Sequence, residues 1–459
     1  MNSAAFQESS TAQAYAEHLL QTLDCPLPRA LRTANEHPAL SWARSGLMSL
    51  TGRADGAPQM CPLSLAACAD GALAALASLA PAQALDGLSG SRLLAERAAI
   101  AGHRRAGASS AAGNCRLLQT LDGFIALNLA RDDDWVLLPA WLERETAAAQ
   151  TQDWAALQRL LRNCTMHDLV ERGRLLGLAV CPRVPLPTPA VLWQREIVRG
   201  GLQRPRTRRV PRVLDLSSLW AGPLCSHLLQ RLGADVVKVE STQRPDGARH
   251  GPAAFFDLLN AGKRSVALDF SSAPGRECLR ALIAQADVVI EASRPRALRQ
   301  LGIDAESIVR SQPGLIWLSI SGYGRGGPQE NWLAYGDDAG VAAGLSYVMQ
   351  QVTGESMFVG DAIADPLTGL HAALAAWARW QSGAGGLIAL ALCDVVRHCG
   401  QFRRPPNLEA LRQRQQQWQE IVREVGVAAC PPQARVASAA APALGADTDA
   451  VLSQWHAAC

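Results

Sequence analysis

The sequence predicts an α/β protein built on a doubly wound, mainly parallel sheet, together with a smaller α+β part. Three observations predict this fold class. Short apolar runs alternate with helical stretches between residues 212 and 320, Pro223 and Gly233 stand where a helix between two such runs would begin and end, and the 459 residues are 48% hydrophobic but only 19% charged. A chain of this length and composition holds enough apolar residues for a large core. It is neither an intrinsically disordered chain nor a small disulfide-rich protein.

The apolar runs follow a strand, helix, strand order from residue 212 onward. Residues 212–216 (R-V-L-D-L) are a predicted strand, a helix begins at Pro223 and ends at Gly233, and residues 236–240 (V-V-K-V-E) are the next strand. Two strands and a helix within ~30 residues have the size of a βαβ unit, whose strands run parallel. The alternation continues with predicted strands at 265–270, 287–291 and 315–320 and a predicted helix at 274–286.

Ligands of such sheets bind beyond the carboxyl ends of the strands. The loops at those ends are residues 217–223, 240–249, 291–296 and 321–328. The last of them, S-G-Y-G-R-G-G-P, is rich enough in glycine to let a ligand or another backbone approach closely. Neither this loop nor loop 217–223 has the G-x-G-x-x-G pattern of dinucleotide-binding proteins, which disfavours an NAD enzyme.

Charge and cysteine content disfavour several classes of protein. Lys and Arg number 44 against 41 Asp and Glu, and a net charge of +3 is too small to predict a nucleic-acid or membrane partner. No stretch reaches ~18 uninterrupted apolar residues, and residues 1–20 lack the pattern of a signal peptide. The twelve cysteines form no C-x-x-C pair, which argues against structural zinc and for buried reduced thiols. We therefore expect a cytoplasmic protein with no metal site.

Prolines and arginines are concentrated between residues 182 and 211, which predicts a linker. The chain is then divided into a small-domain and helical part at 1–181, the linker at 182–211, an α/β domain at 212–400, and a C-terminal helix with an Ala/Pro-rich tail at 401–459. A partial internal repeat relates residues 45–52 and 69–79 to residues 343–349 and 364–377. Duplication of one helical unit explains this repeat.

Five motifs, in order, resemble the family III CoA-transferases, a group that includes formyl-CoA, carnitine and bile-acid CoA-transferases and acyl-CoA racemases. The motifs are R-V-L-D-L-S-S-L-W-A-G-P-L-C (212–225), L-G-A-D-V-V-K-V-E (232–240), N-A-G-K-R-S-V-A-L-D (260–269), A-D-V-V-I-E-A-S-R-P (286–295) and S-G-Y-G-R-G-G-P (321–328). Residues 43–52 and 120–135 resemble segments that in the family follow the catalytic residue. The two parts thus occur in reversed order, which either a fusion or a permutation explains.

The resemblance implies the family III fold and an interlocked homodimer. It implies acyl-CoA and a carboxylic acid as substrates, with no permanently bound cofactor and with coenzyme A entering as substrate. In the family an aspartate attacks the thioester to form a mixed anhydride, an enzyme–CoA thioester follows, and the acceptor acid reverses these steps. Such a carboxylate must lie beside the thioester in a site that excludes water, because hydrolysis of the anhydride would interrupt the transfer.

The sequence departs from the family at the aspartate itself. Tyr335 and Gly344 fit the spacing of the family motif, but Gly336 stands at the aspartate position and is followed by Asp337 and Asp338. Either a shift of one residue makes Asp337 the nucleophile, or the carboxylate is lost and both acids stabilise the first turn of a helix. Asp337 and Asp338 are therefore the candidate catalytic residues.

The resemblance also implies which residues contact coenzyme A. Ala221 and Gly222 match a turn near the pantetheine thiol, where small residues leave room for the thioester. The candidate contacts to adenine and phosphate are Lys238, Glu240, Lys263, Arg264, Ser293 and Arg294. A lysine suits one phosphate oxygen, and Arg294 can offer a phosphate two donors.

The sequence thus predicts an acyl-CoA:carboxylate CoA-transferase that acts through an aspartyl mixed anhydride. One alternative is a CoA-thioester isomerase or racemase on the same fold. No histidine occurs between residues 321 and 344, which disfavours it, and His371 and His227 are the candidates from elsewhere. The other alternative is a non-catalytic acyl-CoA-binding protein, motivated by Gly336.

Overall fold

The computed structural model describes residues 10–28, 31, 33, 36–202 and 210–455. Its described strands form a three-stranded antiparallel sheet and a seven-stranded sheet in which all neighbours but one pair run parallel. The prediction of an α/β protein with a large, mainly parallel sheet is therefore confirmed.

The first part of the chain is helical and then forms a small α+β unit. The helical stretch contains α1 (Thr11–Thr22), α2 (Pro38–Arg44), α3 (Leu47–Leu50), α4 (Leu65–Leu79), α5 (Gly90–Leu93) and α6 (Glu96–Ala101). The small unit contains β1 (Cys115–Gln119), β2 (Phe124–Asn128), α7 (Asp132–Val136), α8 (Leu138–Leu142), α9 (Ala147–Thr151), α10 (Trp154–Leu161), α11 (Met166–Leu176) and β3 (Ala179–Pro182). Strand β2 lies between β1 and β3, and Trp135, Trp141 and Leu157 belong to a separate core under this sheet.

The large sheet has the strand order β4-β10-β9-β8-β5-β6-β7. Its strands are β4 (Arg195–Leu202), β5 (Arg212–Asp215), β6 (Asp235–Ser241), β7 (Arg264–Leu268), β8 (Val288–Glu291), β9 (Ile316–Ser321) and β10 (Ala384–Ala391). Its helices are α12 (Ala221–Arg231), α13 (Ala253–Asn260), α14 (Ala273–Gln285), α15 (Pro295–Gln300), α16 (Ala305–Ser311), α17 (Gly336–Ala342), α18 (Leu345–Thr353), α19 (Ala364–Ser382), α20 (Leu392–Gln401), α21 (Leu408–Glu424) and α22 (Thr448–Gln454). The predicted strands and helix between residues 212 and 321 lie within two residues of the observed ones.

The central strands of the large sheet are apolar on both faces, as expected of parallel strands covered by helices. Alternate residues of one strand enter different cores: Ile290 packs with α12 and α19, whereas Val289 packs with α14 on the opposite face. The first of these cores also contains Trp42 and Leu47 from the helical first part. The two halves of the chain are therefore joined through one hydrophobic core.

The segment predicted as a linker contains strand β4. It lies at the edge of the sheet and pairs antiparallel with β10. A segment rich in Pro and Arg is unsuited to a central strand but can form an edge strand. Gly200 allows this pairing, because a Cβ atom there would lie 2.5 Å from the Gly385 backbone. Residues 203–209 of the predicted linker lie outside the described residues. The domain boundaries stay a prediction.

A buried polar network fixes the loop that follows β5. The Lys263 ammonium contacts Asp215 at 3.2 Å, the Pro223 carbonyl at 3.0 Å and the Ser226 hydroxyl at 2.7 Å. Burial acts to raise the pKa of Asp215, but Lys263 and Lys238 outweigh it and lower that pKa to about 2. Because Lys263 holds the Pro223 carbonyl, the network positions the turn at residues 221–223.

The C-terminal part packs against both halves of the chain. The C-terminal helix predicted within residues 401–459 is observed as α21, with Leu411 and Trp418 buried. Beyond it, Arg435 pairs with the buried Glu96 at 2.6 Å. Ten of the described cysteines are free thiols and seven of these are buried, as predicted, but the prediction is wrong for Cys278, which is disulfide-bonded. Among the described residues, no helix has both the length and the apolar character needed to cross a membrane.

We predict that Lys263→Met lowers the free energy of unfolding by about 3–5 kcal/mol, because it leaves the buried Asp215 carboxylate without its ion-pair partner. Urea unfolding followed by circular dichroism measures this loss. Arg264→Gln is the matched control, since its pair with Asp235 is partly exposed and contributes about 0–1 kcal/mol. Equal losses in the two variants would contradict the assignment.

Candidate active site

Asp338 stabilises the start of helix α17. Its carboxylate accepts a hydrogen bond from the Tyr335 backbone N–H at 2.9 Å and another from the Asn128 side-chain amide at 3.2 Å. A carboxylate at the third helical position that binds the N-cap backbone is a standard helix-start arrangement. Burial raises the pKa of Asp338 to about 7, and the side chain is fully buried. The structure therefore gives this candidate a role in holding the helix.

Asp337 lies on the same helix but remains partly exposed. One of its carboxylate oxygens accepts a hydrogen bond from the Ala362 backbone N–H at 2.8 Å. Its charged surroundings are Arg97, His103, Asp361 and Asp365. We call Asp337 and these four side chains the acid cluster. They come from α6, from residue 103 just after it, from α17, and from α19 and the turn before it.

A guanidinium from the first half of the chain neutralises part of the acid cluster. Arg97 donates to both oxygens of Asp361, with the Nε bond at 2.9 Å. The His103 Nδ1 atom lies 3.4 Å from the same carboxylate. Asp361 itself is fully buried, so this pairing supplies the countercharge that a buried carboxylate requires.

The three aspartates of the acid cluster differ in protonation. Burial raises the pKa of Asp337 to about 6, against the opposing effect of Arg97. Burial also raises the pKa of Asp365 to about 7. For Asp361, Arg97 and His103 outweigh burial and lower the pKa to about 2. Near neutral pH, Asp361 is ionised, Asp337 is mostly ionised, and Asp365 is partly protonated.

Gly336 has no room for a side chain. A Cβ atom there would lie 2.2 Å from a carboxylate oxygen of Asp365 and 2.4 Å from the Ala362 carbonyl oxygen. Real Cβ atoms essentially never approach other atoms so closely, and the carbonyl is backbone that cannot rotate away. Asp365 and the Ala362 carbonyl thus occupy the space that a side chain on residue 336 would need.

The acid cluster lies beside the turn that follows β5. The Arg97 guanidinium is 5.5 Å from the centroid of the Trp220 ring, directly before that turn. Gly369, one helical turn after Asp365, packs so tightly on the turn that a Cβ atom there would lie 2.7 Å from the Ala221 carbonyl oxygen. Gly222 is equally confined, since its Cβ would meet the Ser217 hydroxyl at 2.0 Å. Helix α19 and Arg97 thus bring Asp337 and the turn to the same side of the sheet.

Three of the predicted coenzyme A contacts are buried within the protein. Lys238 binds the Ser217 carbonyl and the Asp246 carboxylate, each at 2.9 Å. Glu240 pairs with Arg249 at 2.6 Å. Lys263 belongs to the polar network described above, and all three side chains hold the loops at the strand ends.

The other three candidate contacts to adenine and phosphate lie at opposite ends of the strands. The Arg264 guanidinium pairs with Asp235, which begins β6, so it lies at the amino ends of the strands. Ser293 and Arg294 follow β8 at the carboxyl ends, and the Ser293 hydroxyl donates to Glu291 at 2.9 Å. The structure therefore separates Arg264 from Ser293 and Arg294.

Arg294 has no hydrogen-bond or ion-pair partner among the described residues. Its pKa is lowered by partial burial and by the nearby cations Arg296 and Arg131. Tyr335, the N-cap of α17, also faces it. Three guanidiniums thus gather beside the start of the helix that carries Asp337, and this arrangement favours an anionic ligand.

Sequence reasoning missed Arg97, His103 and Asp361, because they carry no motif and two of them come from the distant first half. Asp365 was noticed only as a member of the internal repeat. The two histidines named for racemisation face elsewhere: His371 bonds Tyr15 at 2.8 Å inside the core, and His227 contacts Arg435 at 2.8 Å. The described part of the chain contains no group of three or more His, Cys, Asp or Glu side chains suited to holding a metal ion.

Comparison with known proteins gives a match to the family described as CoA-transferase family III over residues 211–420. A succinate–glutarate CoA-transferase of Agrobacterium fabrum is 34% identical over 201 residues, which are 40% of this chain and 50% of that protein. A formyl-CoA:oxalate CoA-transferase of Afipia carboxidovorans is 36% identical over 196 residues, 40% of this chain and 46% of that protein. The chain thus spans about half the length of the curated relatives it matches. The crystal structure of Rv3272 from M. tuberculosis is similar at 30% identity and a TM-score of 0.37, covering 42% of this chain and 55% of that one.

We predict that Gly336→Ala destabilises the protein by about 1–3 kcal/mol, because the added methyl group overlaps the Ala362 carbonyl. Gly340→Ala is the matched control on the same helix: its Cβ would have ordinary contacts of 3.6 and 3.7 Å, so the change is neutral or stabilising. Thermal unfolding of both variants measures the difference. A Gly336→Ala protein as stable as Gly340→Ala would show that residue 336 has room for a side chain.

Proposed function

We propose that the protein moves coenzyme A from an acyl-CoA to a carboxylic acid with Asp337 as the attacking carboxylate, and the match of residues 211–420 to CoA-transferase family III supports this. The observation that carries this proposal is the position of Asp337, a residue of intermediate burial in a cluster whose Arg97 contacts Trp220, directly before the turn at residues 221–223. Relatives over the same region are named as CoA-transferases.

In the proposed reaction an oxygen of the Asp337 carboxylate bonds to the thioester carbon, the C–S bond breaks, and the coenzyme A thiolate leaves. The thiolate then attacks the aspartyl carbonyl of the mixed anhydride, which releases the donor acid and forms an enzyme thioester. The acceptor carboxylate attacks that thioester, and the freed thiolate takes the new acyl group. Every step exchanges one carboxylate for one thiolate, so no oxidant or external proton is required.

The acid cluster suits Asp337 to this role. Burial excludes water and makes the carboxylate more basic, while Arg97 keeps it ionised near neutral pH. Asp365 is partly protonated in the same pH range, so it adds little negative charge beside the nucleophile. Asp361 serves as the fixed partner of Arg97 and is not available for attack.

For coenzyme A itself we propose contacts at Ala221, Gly222, Ser293 and Arg294. Arg294 supports this because its guanidinium lacks a partner among the described residues and Arg131 and Arg296 add positive charge beside it. Lys238, Glu240 and Lys263 would act indirectly, by holding the loops that line the site. Arg264 would have a structural role, because it pairs β7 with Asp235 of β6, and it would not contact the coenzyme.

Several wider properties are also proposals. We propose an interlocked homodimer located in the cytoplasm, a doubly wound sheet, and a duplication that produced the helical units on either side of the chain. The left-handed backbone of both Gly46 (φ 92°) and Gly344 (φ 102°), each directly before a helix, supports the duplication.

Two other functions have one observation each in their favour. The partly exposed His103 beside Asp361 provides a histidine and an acid, as an isomerase or racemase requires. The absence of space at Gly336 favours an acyl-CoA-binding protein without transfer activity. Exchange of the substrate α-proton with deuterated solvent, in the absence of any acceptor acid, identifies the first. Saturable binding without exchange or transfer identifies the second.

We predict that hydroxylamine, added during turnover with succinyl-CoA and glutarate or with formyl-CoA and oxalate, converts Asp337 to its hydroxamate. Peptide mass spectrometry locates the modified residue. Asp337→Asn abolishes both the modification and the transfer of coenzyme A. Asp133→Asn, an exposed aspartate on α7, is the matched control and keeps both. Modification of any other aspartate, or unimpaired transfer by Asp337→Asn, would refute the role of Asp337.

We predict that kcat rises with pH through about 6 and levels off above 7, because only the ionised form of Asp337 attacks and its pKa is raised to about 6. The groups that face Asp337 are Arg97, Asp361, Asp365 and His103. Arg97→Gln removes the cation that lowers this pKa, so the acidic limb moves to higher pH. Arg97→Lys keeps the charge and restores the limb. A pH–rate profile that Arg97→Gln leaves in place would contradict this coupling.

A further inference from the structure

A cavity lies between the Gly-rich loop 321–328, the small α+β unit and helix α20, apart from the acid cluster. Its volume is about 230 Å³. The residues that line it include Arg174 of α11, Tyr323 of the loop, Arg397 of α20, and Trp332. A neighbouring cavity of about 220 Å³ shares Tyr323 and Arg397. None of the described residues of the acid cluster lines either cavity.

The charges around this cavity favour an anion. Arg174 and Arg397 line it, and no described lining residue carries a carboxylate. Arg174 pairs with Glu171 at 3.2 Å, but that glutamate is 53% exposed. Because water screens an exposed carboxylate, Glu171 neutralises the Arg174 charge only weakly. Arg397 pairs with Asp394 at 3.1 Å, an acid that Arg195 also approaches at 3.9 Å.

Of two further groups near the cavity, one is neutral and the other carries less than a full negative charge near neutral pH. Burial raises the pKa of the Cys393 thiol in its wall to about 12, so this thiol is neutral. Asp338 lies behind the wall, where its backbone carbonyl accepts from the Cys181 thiol, and burial raises the pKa of its carboxyl to about 7. The two guanidiniums therefore dominate the electrostatic potential inside the cavity.

Three hydrogen-bond donors at this cavity have no acceptor. The Nε atoms of Arg174 and Arg397 and the hydroxyl of Tyr323 are buried and make no hydrogen bond of normal geometry with the described residues, although the Tyr323 hydroxyl lies near enough to the Cys181 thiol to act against the rise of that thiol's pKa. A buried polar group without a partner costs about 1–3 kcal/mol, and such groups are rare in folded proteins. A ligand that supplies oxygen acceptors and no donors would satisfy those of the three that it reaches.

The two guanidiniums are held in place without a ligand. Arg174 lies over the Trp332 ring at 3.5 Å from its centroid and also faces Tyr323 at 5.9 Å. Arg397 donates to the Ala342 carbonyl at 2.9 Å. Fixed donors reduce the conformational entropy lost on binding. The planar guanidinium also matches the geometry of a carboxylate.

We propose that this cavity binds a small organic carboxylate whose oxygens accept hydrogen bonds from Arg174, Arg397 and Tyr323. Trp332, Val184 and Pro182 form an apolar part of the wall, which favours an anion with a carbon skeleton over inorganic phosphate. The cavity meets α17 at Ala342, which lies five positions after Asp337 and about 7.5 Å from it along the helix axis. The site is therefore additional to the proposed transfer site and does not depend on it.

Titration calorimetry of the full chain with succinate, at constant ionic strength and without coenzyme A, tests the proposal. We expect saturable binding that Arg174→Gln weakens at least tenfold. Arg162→Gln is the matched control, because it removes one exposed positive charge from the same unit and leaves the cavity unchanged. Asp337→Asn keeps succinate binding, so failure of the proposed transfer chemistry and failure of this site give different results.

A second variant protects the test from loss of folding. Tyr323→Phe removes one hydroxyl and is expected to weaken succinate binding roughly three- to tenfold, the value of one hydrogen bond. Circular dichroism confirms that each variant is folded. Three results would each overturn the proposal: no saturable succinate binding, equal weakening by Arg162→Gln and Arg174→Gln, or inorganic phosphate binding as tightly as succinate.

Discussion

The charge balance around Arg97 is the interaction on which the candidate site depends. This guanidinium comes from the first half of the chain, while the three carboxylates around it belong to the second half. It neutralises the buried Asp361, opposes the effect of burial on Asp337, and lies over Trp220 at the turn that follows β5. Without a cation here, burial would drive the carboxyls toward their neutral forms, and a neutral carboxyl is not a nucleophile. Packing of the two halves is thus a condition for the proposed chemistry.

A second constraint is the lack of space around helix α17. Residue 336 is a glycine, and Asp365 and the Ala362 carbonyl occupy the volume that a side chain there would need. The same close packing places the next residue, Asp337, where it keeps partial exposure and one backbone hydrogen bond. The acid cluster therefore combines one ionised, paired aspartate with two aspartates whose pKa is raised. This division of protonation states is typical of sites where carboxylates have distinct roles.

The strands from β5 to β9 were predictable because each is an apolar run that is buried on both faces. The helices between them carry clear start and stop signals. Strand β4 was missed because edge pairing with β10 needs no apolar run and tolerates charged residues. Lys238 and Lys263 were expected to meet a ligand. Their long side chains reach buried carboxylates instead, and a motif reveals which residue is present but not its partner. Arg97 and His103 were missed because only tertiary packing brings them to α17.

The most direct measurement of the central claim is a crystal structure of Asp337→Asn with a bound acyl-CoA, since this variant keeps the shape of the side chain but cannot complete the attack. The proposed mechanism predicts that the thioester carbon lies about 3–3.5 Å from an atom of the residue-337 side chain, the separation of reacting groups before bond formation, with the phosphates near Arg294. A thioester bound away from the acid cluster, with residue 337 out of reach, would contradict it.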